Sequence, residues 1–270
     1  MLISHEAPLS IMPQIQALTD YDYCLVHLLE QSEGYLNYFL EASEKGRKII
    51  MDCSLFELGS SFDPGEYYKW LLKIQPDEYI VPDVWQDATA NMLSFYEFES
   101  NFDLKALKGI KIGVLQGKTF NEFEKVYKFM EKKADKIAFS FGYDYYLEHF
   151  MEKDPPNNTK ASAFARGRFF LVSELLKRNV INKLKPHHLL GCGSPLEFSL
   201  YRDNPLFSFI TSLDTSHPVT SGFFGKDYEQ TETVSGKVDT KMVDFFDQET
   251  TPEQFNLILK NVRIFRDNIR

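Results

Sequence analysis

Residues 110 to 140 read IKIGVLQGKTFNEFEKVYKFMEKKADKIAFS, and this stretch decides the fold. Ile110 to Leu115 is a short apolar run rich in β-branched residues, the mark of a buried strand. From Thr119 to Lys133 the pattern changes period. Phe120, Phe123, Val126, Tyr127 and Met130 recur at helical spacing on one face. Thr119 followed three residues later by Glu122 is a capping box that starts this helix. Lys136 to Ser140 is again a strand. Strand, helix and strand in about 30 residues make one βαβ unit, which requires parallel pairing.

The same alternation extends in both directions. Further strands are expected at Leu2 to Ser4, Tyr23 to Leu28, Lys48 to Asp52, Glu78 to Pro82, His188 to Leu190 and Phe207 to Leu213. Further helices are expected at Pro64 to Gln75, with Asp63 as N-cap, and at Ala161 to Arg178, Pro195 to Tyr201 and Thr251 to Asp267. About eight such units in a chain of this length fit an α/β fold of the (β/α)8 TIM-barrel type. A doubly wound open sheet is the alternative, but no GxGxxG follows an early strand, and no P-loop occurs. Residues 1–270 are read as a single barrel domain. Asp154 to Thr159 is a loop, residues 219–250 form a polar insertion or lid, and a C-terminal helix closes the chain.

Composition narrows the classes. The 270 residues carry a net charge of −9, with 43% hydrophobic and 26% charged residues, which excludes disordered and low-complexity chains. No apolar run approaches the roughly 20 residues that span a bilayer, and the first residues do not read as a signal peptide. Cys24, Cys53 and Cys192 are widely spaced, which suits a reducing cytoplasm and offers no Cys-based zinc site. A cytoplasmic protein without a membrane partner is the expectation.

In a (β/α)8 barrel the chemistry sits where strands end. Asp52, Asp83 and Asp214 follow apolar strands and are expected at one mouth, joined by Gln116. A carboxylate placed there is costly unless it is paired or used, although Asp is also a common helix cap. Three chemistries suit the set: oxygen ligation of Mg²⁺, a glycoside-type mechanism with one carboxylate as nucleophile, and a pocket that reads the amide and amino edge of a purine. Phe56 and Tyr143, also near strand ends, are candidates to stack on a base.

The ordered motifs DCSLFELG (52–59), Pro82-Asp83 with Asp87, GVLQG (113–117), HLLG (188–191) and SLDTS (212–216) resemble the strand-end motifs of the tRNA-guanine transglycosylase superfamily. Within it the chain most resembles the short phage DNA-guanine transglycosylases, often called queuine tRNA-ribosyltransferase-like. The resemblance runs from about residue 1 to 220. It implies a (β/α)8 barrel and exchange of guanine in a nucleic acid for a 7-deazaguanine such as 7-cyano-7-deazaguanine, with no cofactor. It assigns Asp214 as nucleophile, Asp52 as general acid and base, and Asp83, Gln116 and Gly142 as base-binding residues. The tRNA enzymes carry a CxCxxC…His zinc site that this chain lacks, having no cysteine after Cys192. The resemblance therefore implies no zinc subdomain, no bound metal and DNA as the nucleic-acid partner, with tRNA as the alternative. It also implies a tendency to homodimers or accessory subunits, and host-cell cytoplasm if phage-encoded. A catalytically idle, nucleic-acid-binding or accessory barrel and a metal-dependent hydrolase stay open beside it.

Two further signals stand apart. Lys160 to Lys185 holds seven basic residues against Glu174, a local charge of +6 that suits either a phosphate track or a solvated helix face. Arg166 and Arg168 are the expected phosphate contacts, because Gly167 between them admits a backbone. His187, His188 and His217 read chiefly as packing or capping residues. His5 and Glu6 are weak metal-ligand candidates.

Overall fold

The computed structural model describes residues 1–150, 160–193, 197–201, 204–230, 241–244 and 246–267. Chain order begins with β1 (Leu2–Ser4), α1 (Met12–Gln16), β2 (Asp22–Leu25), α2 (Val26–Gln31), α3 (Glu33–Glu44) and β3 (Ile49–Asp52). It continues with α4 (Leu55–Leu58), α5 (Pro64–Ile74), β4 (Glu78–Ile80), α6 (Ala88–Asn101), β5 (Ile110–Leu115), α7 (Phe120–Lys133) and β6 (Lys136–Ser140). Then come α8 (Asp144–Phe150), α9 (Lys160–Lys177), β7 (His187–Leu190), α10 (Phe198–Tyr201), β8 (Ile210–Asp214), α11 (His217–Phe223) and α12 (Pro252–Asp267). The strands form one parallel sheet in the order β1-β8-β7-β6-β5-β4-β3-β2, a (β/α)8 TIM-barrel fold. Among the described residues no helix is long and apolar enough to cross a membrane.

Local chemistry explains most boundaries. Thr119 accepts from the Glu122 backbone and Glu122 bonds back, so the capping box starts α7 as expected. Asp63 accepts from the Gly65 and Glu66 N–H groups with Pro64 behind it, which starts α5. The expected strand Tyr23 to Leu28 is shorter: β2 ends at Leu25 and Val26 begins α2. Val26, His27, Leu28 and Leu29 are all buried, and a segment buried on every side carries no period to tell strand from helix. Similarly, β8 starts at Ile210, because Asn204 accepts from the Leu206 N–H and holds Pro205–Phe207 in a 3₁₀ turn.

The chain comprises two compact units. One contains Tyr21–Ala138 and Leu184–His187. Its ladder runs β2 to β5, with Leu25 opposite Asp52, Met51 opposite Tyr79 and Ile80 opposite Ile112. Ile50, Met51, Tyr67, Phe95, Val114, Phe123 and Ile137 fill its core. Glu78 is buried there between Lys136 (2.7 Å) and Lys48 (2.5 Å). Removing the Glu78 carboxylate would leave the buried Lys136 ammonium without its counter-ion.

The other unit contains Met1–Asp20, Phe139–Lys183 and His188–Arg270. Here β1 pairs with β8, Ser4 lying opposite Asp214. Residues 219–223, expected in a polar lid, belong to the buried helix α11. Gly222 lets α11 lie on α12, since a Cβ there would stand 2.7 Å from the Ile258 backbone. Tyr228, Met242 and Phe246 are also buried. The remainder of that segment, 231–240 and 245, lies outside the described residues, as does the loop Asp154 to Thr159.

Arg168 overturns its expected role. Its side chain is fully buried, with Nε and Nη2 on the Glu197 carboxylate at 2.7 Å each and Nη1 on the Phe139 and Leu190 carbonyls. A guanidinium so engaged ties α9 to the strand ends and is withheld from any phosphate. Gly167 likewise admits a protein neighbour: a Cβ would meet Tyr146 Cβ at 2.3 Å, so the glycine seats α8 on α9. The basic run hid an internal ion pair whose acid lies outside it in sequence. Arg168→Leu strands Glu197 as an unmatched buried charge and should lower the unfolding free energy by about 3–5 kcal/mol. Urea denaturation should show most of that loss recovered in Arg168→Leu/Glu197→Leu.

Candidate active-site residues

In the unit built on β2 to β5, Asp52 ends β3. Its Oδ1 accepts the Ser54 N–H at 2.8 Å and its Oδ2 accepts the Tyr23 hydroxyl at 2.6 Å. Ser54 holds φ at +62°, an uncommon conformation outside glycine that costs free energy. The Ser54 hydroxyl is engaged by His27 Nδ1 at 2.8 Å. The exposed Phe56 follows on α4.

Asp83, three residues past β4, is buried. Its Oδ2 accepts Gln116 Nε2 at 2.6 Å and its Oδ1 accepts the Cys53 thiol at 3.3 Å. Ser61 fixes the backbone of the same residue, its hydroxyl accepting the Asp83 N–H and donating to the Asp83 carbonyl. Burial pushes the Asp83 carboxyl above the usual carboxylate range, with the Gln116 and Cys53 bonds opposing that shift. Gln116 follows β5 directly, and its Oε1 accepts the Gln86 N–H at 2.9 Å. The amide orientation is thereby set: oxygen toward Gln86, nitrogen toward Asp83. The sequence reading grouped Asp83 and Gln116 as base-binding residues, and the structure brings them into one hydrogen-bonded pair. Cys53 joins them unforeseen. Its thiol is pushed well up by burial and by the Asp83 and Asp52 charges, so it serves as a donor, not a thiolate.

In the unit built on β1 and β8, Asp214 ends β8 and is 4% exposed. Its Oδ1 accepts His188 Nε2 at 2.8 Å and the Gly191 N–H at 3.0 Å. Among the described residues, Oδ2 takes only the longer branch of that N–H, at 3.1 Å. Gly191 has φ +65°, a conformation that a side chain would strain. His188 Nδ1 meets Ser212 Oγ at 2.9 Å. His188 therefore does more than pack, and sequence reasoning undervalued it; its signal was its place on the strand beside the one that carries Asp214.

Other expected residues lie elsewhere. Gly142 follows β6 and is partly buried. Tyr143 is wholly buried against the Tyr146 ring, with centroids 5.2 Å apart, and presents no face for stacking on a base. Its aromatic character serves the α8 packing. Arg166 is partly buried on α9. His187 stacks on Tyr127 and bonds its hydroxyl at 3.0 Å; burial lowers its pKa to about 3. His217 bonds the Tyr228 hydroxyl. Burial and the Arg266 charge lower His5 to about 3. Among the described residues no cluster of three or more His, Cys, Asp or Glu is arranged to hold a metal ion.

No protein-family model matches the chain, and no curated protein matches it in sequence. Among solved structures, the X-ray crystal structure of the YdjI aldolase from Escherichia coli K12 is similar, with a TM-score of 0.50 and 10% identity over 99% of this chain and 86% of that chain. At that identity the likeness is one of fold alone.

Asp83 supplies a pH test. Its folded pKa is raised, so the folded state binds more protons than the unfolded state above the ordinary carboxylate range, and its contribution to stability falls as pH rises. Urea midpoints of wild type and Asp83→Asn, measured from pH 4 to 7, should diverge: the wild type loses ground to the variant as pH rises. Parallel profiles would contradict the assignment.

Proposed function

We propose that the protein is a DNA-guanine transglycosylase, exchanging guanine for a 7-deazaguanine such as 7-cyano-7-deazaguanine through a covalent glycosyl-aspartate. The observation that carries this reading is Asp214: a strand-end carboxylate, buried, with one oxygen engaged by two donors and the other retaining lone pairs for attack. A carboxylate of that kind suits nucleophilic substitution at a sugar C1′, which splits one difficult displacement into two easier ones.

The other groups take complementary roles. In the first half-reaction, the Asp214 oxygen bonds C1′ while the C1′–N9 bond breaks, and Asp52 gives its proton to the departing guanine. In the second, Asp52 takes the N9 proton of the incoming base, N9 bonds C1′ and the aspartate ester is released. Tyr23 donates to Asp52 and so favours its ionised form, the form that takes the N9 proton in the second half-reaction. Asp83 and Gln116 suit the purine edge. A carboxylate accepts from N1–H and the exocyclic amine, and the second Gln116 N–H can serve O6. Base N–H donors favour ionised Asp83, offsetting the burial that raises its pKa. The exposed Phe56 ring offers a stacking face. The target nucleotide must leave its stack, as for other enzymes that act on a base. Arg166 stays as the proposed phosphate contact. DNA is favoured over tRNA by the lack of cysteine ligands for the zinc site of the tRNA enzymes.

Release of radiolabelled guanine from a DNA polymer tests the reading. Release should require both the deazaguanine and Asp214, and Asp214→Ala should lower it by at least about 10³-fold. Asp52→Asn should cost about 10²–10⁴-fold, the usual worth of a general acid–base. Release from tRNA but not from DNA would transfer the reading to tRNA. Full activity in Asp214→Ala would remove the mechanism.

A further inference from the structure

We infer that His188 is the positioning residue of Asp214, aiming the carboxylate through its Nε2–H while Ser212 fixes the imidazole ring. The inference rests on the reading of Asp214 as nucleophile and adds a residue to which that reading gave no role.

Three observations support it. First, an ionised Asp214 can only accept, so the 2.8 Å contact places the proton on His188 Nε2 whichever way the Ser212 hydroxyl points. Second, the ring is clamped at both ends. Ser212 and Asp214 lie two residues apart on β8, on the same face of the strand, and His188 spans them from β7. Rotation of the imidazole would break both bonds inside a fully buried site, where each unpaired polar group is costly. Third, His188 donates to Oδ1 and the Gly191 N–H is shared between Oδ1 and Oδ2, so the carboxylate plane is fixed from two sides. A nucleophile misplaced by about 1 Å loses on the order of 10²-fold in rate, so a clamp of this kind acts on turnover and not on substrate affinity.

Two polar variants isolate the Nε2 bond. In His188→Gln the side-chain amide reaches the position of Nε2 and can donate to Asp214. In His188→Asn the shorter amide reaches only the position of Nδ1, so it can meet Ser212 but not Asp214. Both retain a polar, hydrogen-bonding side chain, and thermal melts would establish that both fold. In the guanine-release assay on DNA, His188→Asn should lower kcat by about 10²-fold with KM within about threefold, and His188→Gln should recover to within about fivefold of wild type. Equal activity of the two variants, or an effect confined to KM, overturns the inference while leaving the transglycosylase reading in place. A wild-type protein that exchanges no base on DNA or tRNA overturns both, and that measurement comes first. If neither variant folds, Ser212→Ala takes their place. Its loss of the ring clamp should lower kcat with KM kept, and an unchanged kcat counts against the inference.

Discussion

Carboxylates withdrawn from water need donors to replace their hydration, and the loops that follow the strands are built around that need. Asp52 receives a backbone N–H from a residue forced into the left-handed region and a tyrosine hydroxyl from the neighbouring strand. Asp83 receives an amide and a thiol, while a serine pins its backbone at two points. Asp214 receives an imidazole N–H and a glycine N–H. The donors differ, and so does the chemistry left to each group. A thiol and an amide are weak compensation, so burial dominates at Asp83 and its pKa rises. Oδ1 of Asp214 takes the imidazole N–H and a share of the Gly191 N–H, and Oδ2 takes the other share.

The same arithmetic governs the interior away from these groups. Arg168 and Glu197 are both fully buried, and the guanidinium spends its remaining donors on two strand-end carbonyls. Glu78 stands between two lysines. Close backbone approach is obtained by omitting side chains: Gly167 accepts Tyr146 and Gly222 accepts the backbone of Ile258. These contacts hold helices against one another at separations that no larger residue permits.

Much of this was legible before the structure. Short β-branched runs bounded by polar residues gave six of the eight strands to within about two residues, because a strand's period and its ends are local properties. The capping box at Thr119 and the Pro64 start were local as well. What failed was non-local. Tyr23 to Leu28 is buried throughout, so nothing in its pattern marks the change from β2 to α2. The basic run around Arg168 looked like a surface because its counter-ion, Glu197, is 29 residues away. Tyr143 was placed near a strand end correctly, but its burial depends on Tyr146. For His188, strand adjacency was implied by the alternation, yet only coordinates set its ring between Ser212 and Asp214.

That bridge ties the orientation of the Asp214 carboxylate to the pairing of β7 with β8. Ser212 and Asp214 are separated by one side-chain repeat, and His188 reaches both only in a single register of β7 against β8. A slip by one residue would turn both partners to the opposite face and free the carboxylate from its imidazole. The held orientation of the Asp214 carboxylate is therefore absent from a misregistered form. On the proposed reading, reactivity would then report correct strand register, and a misregistered chain would carry no oriented aspartate.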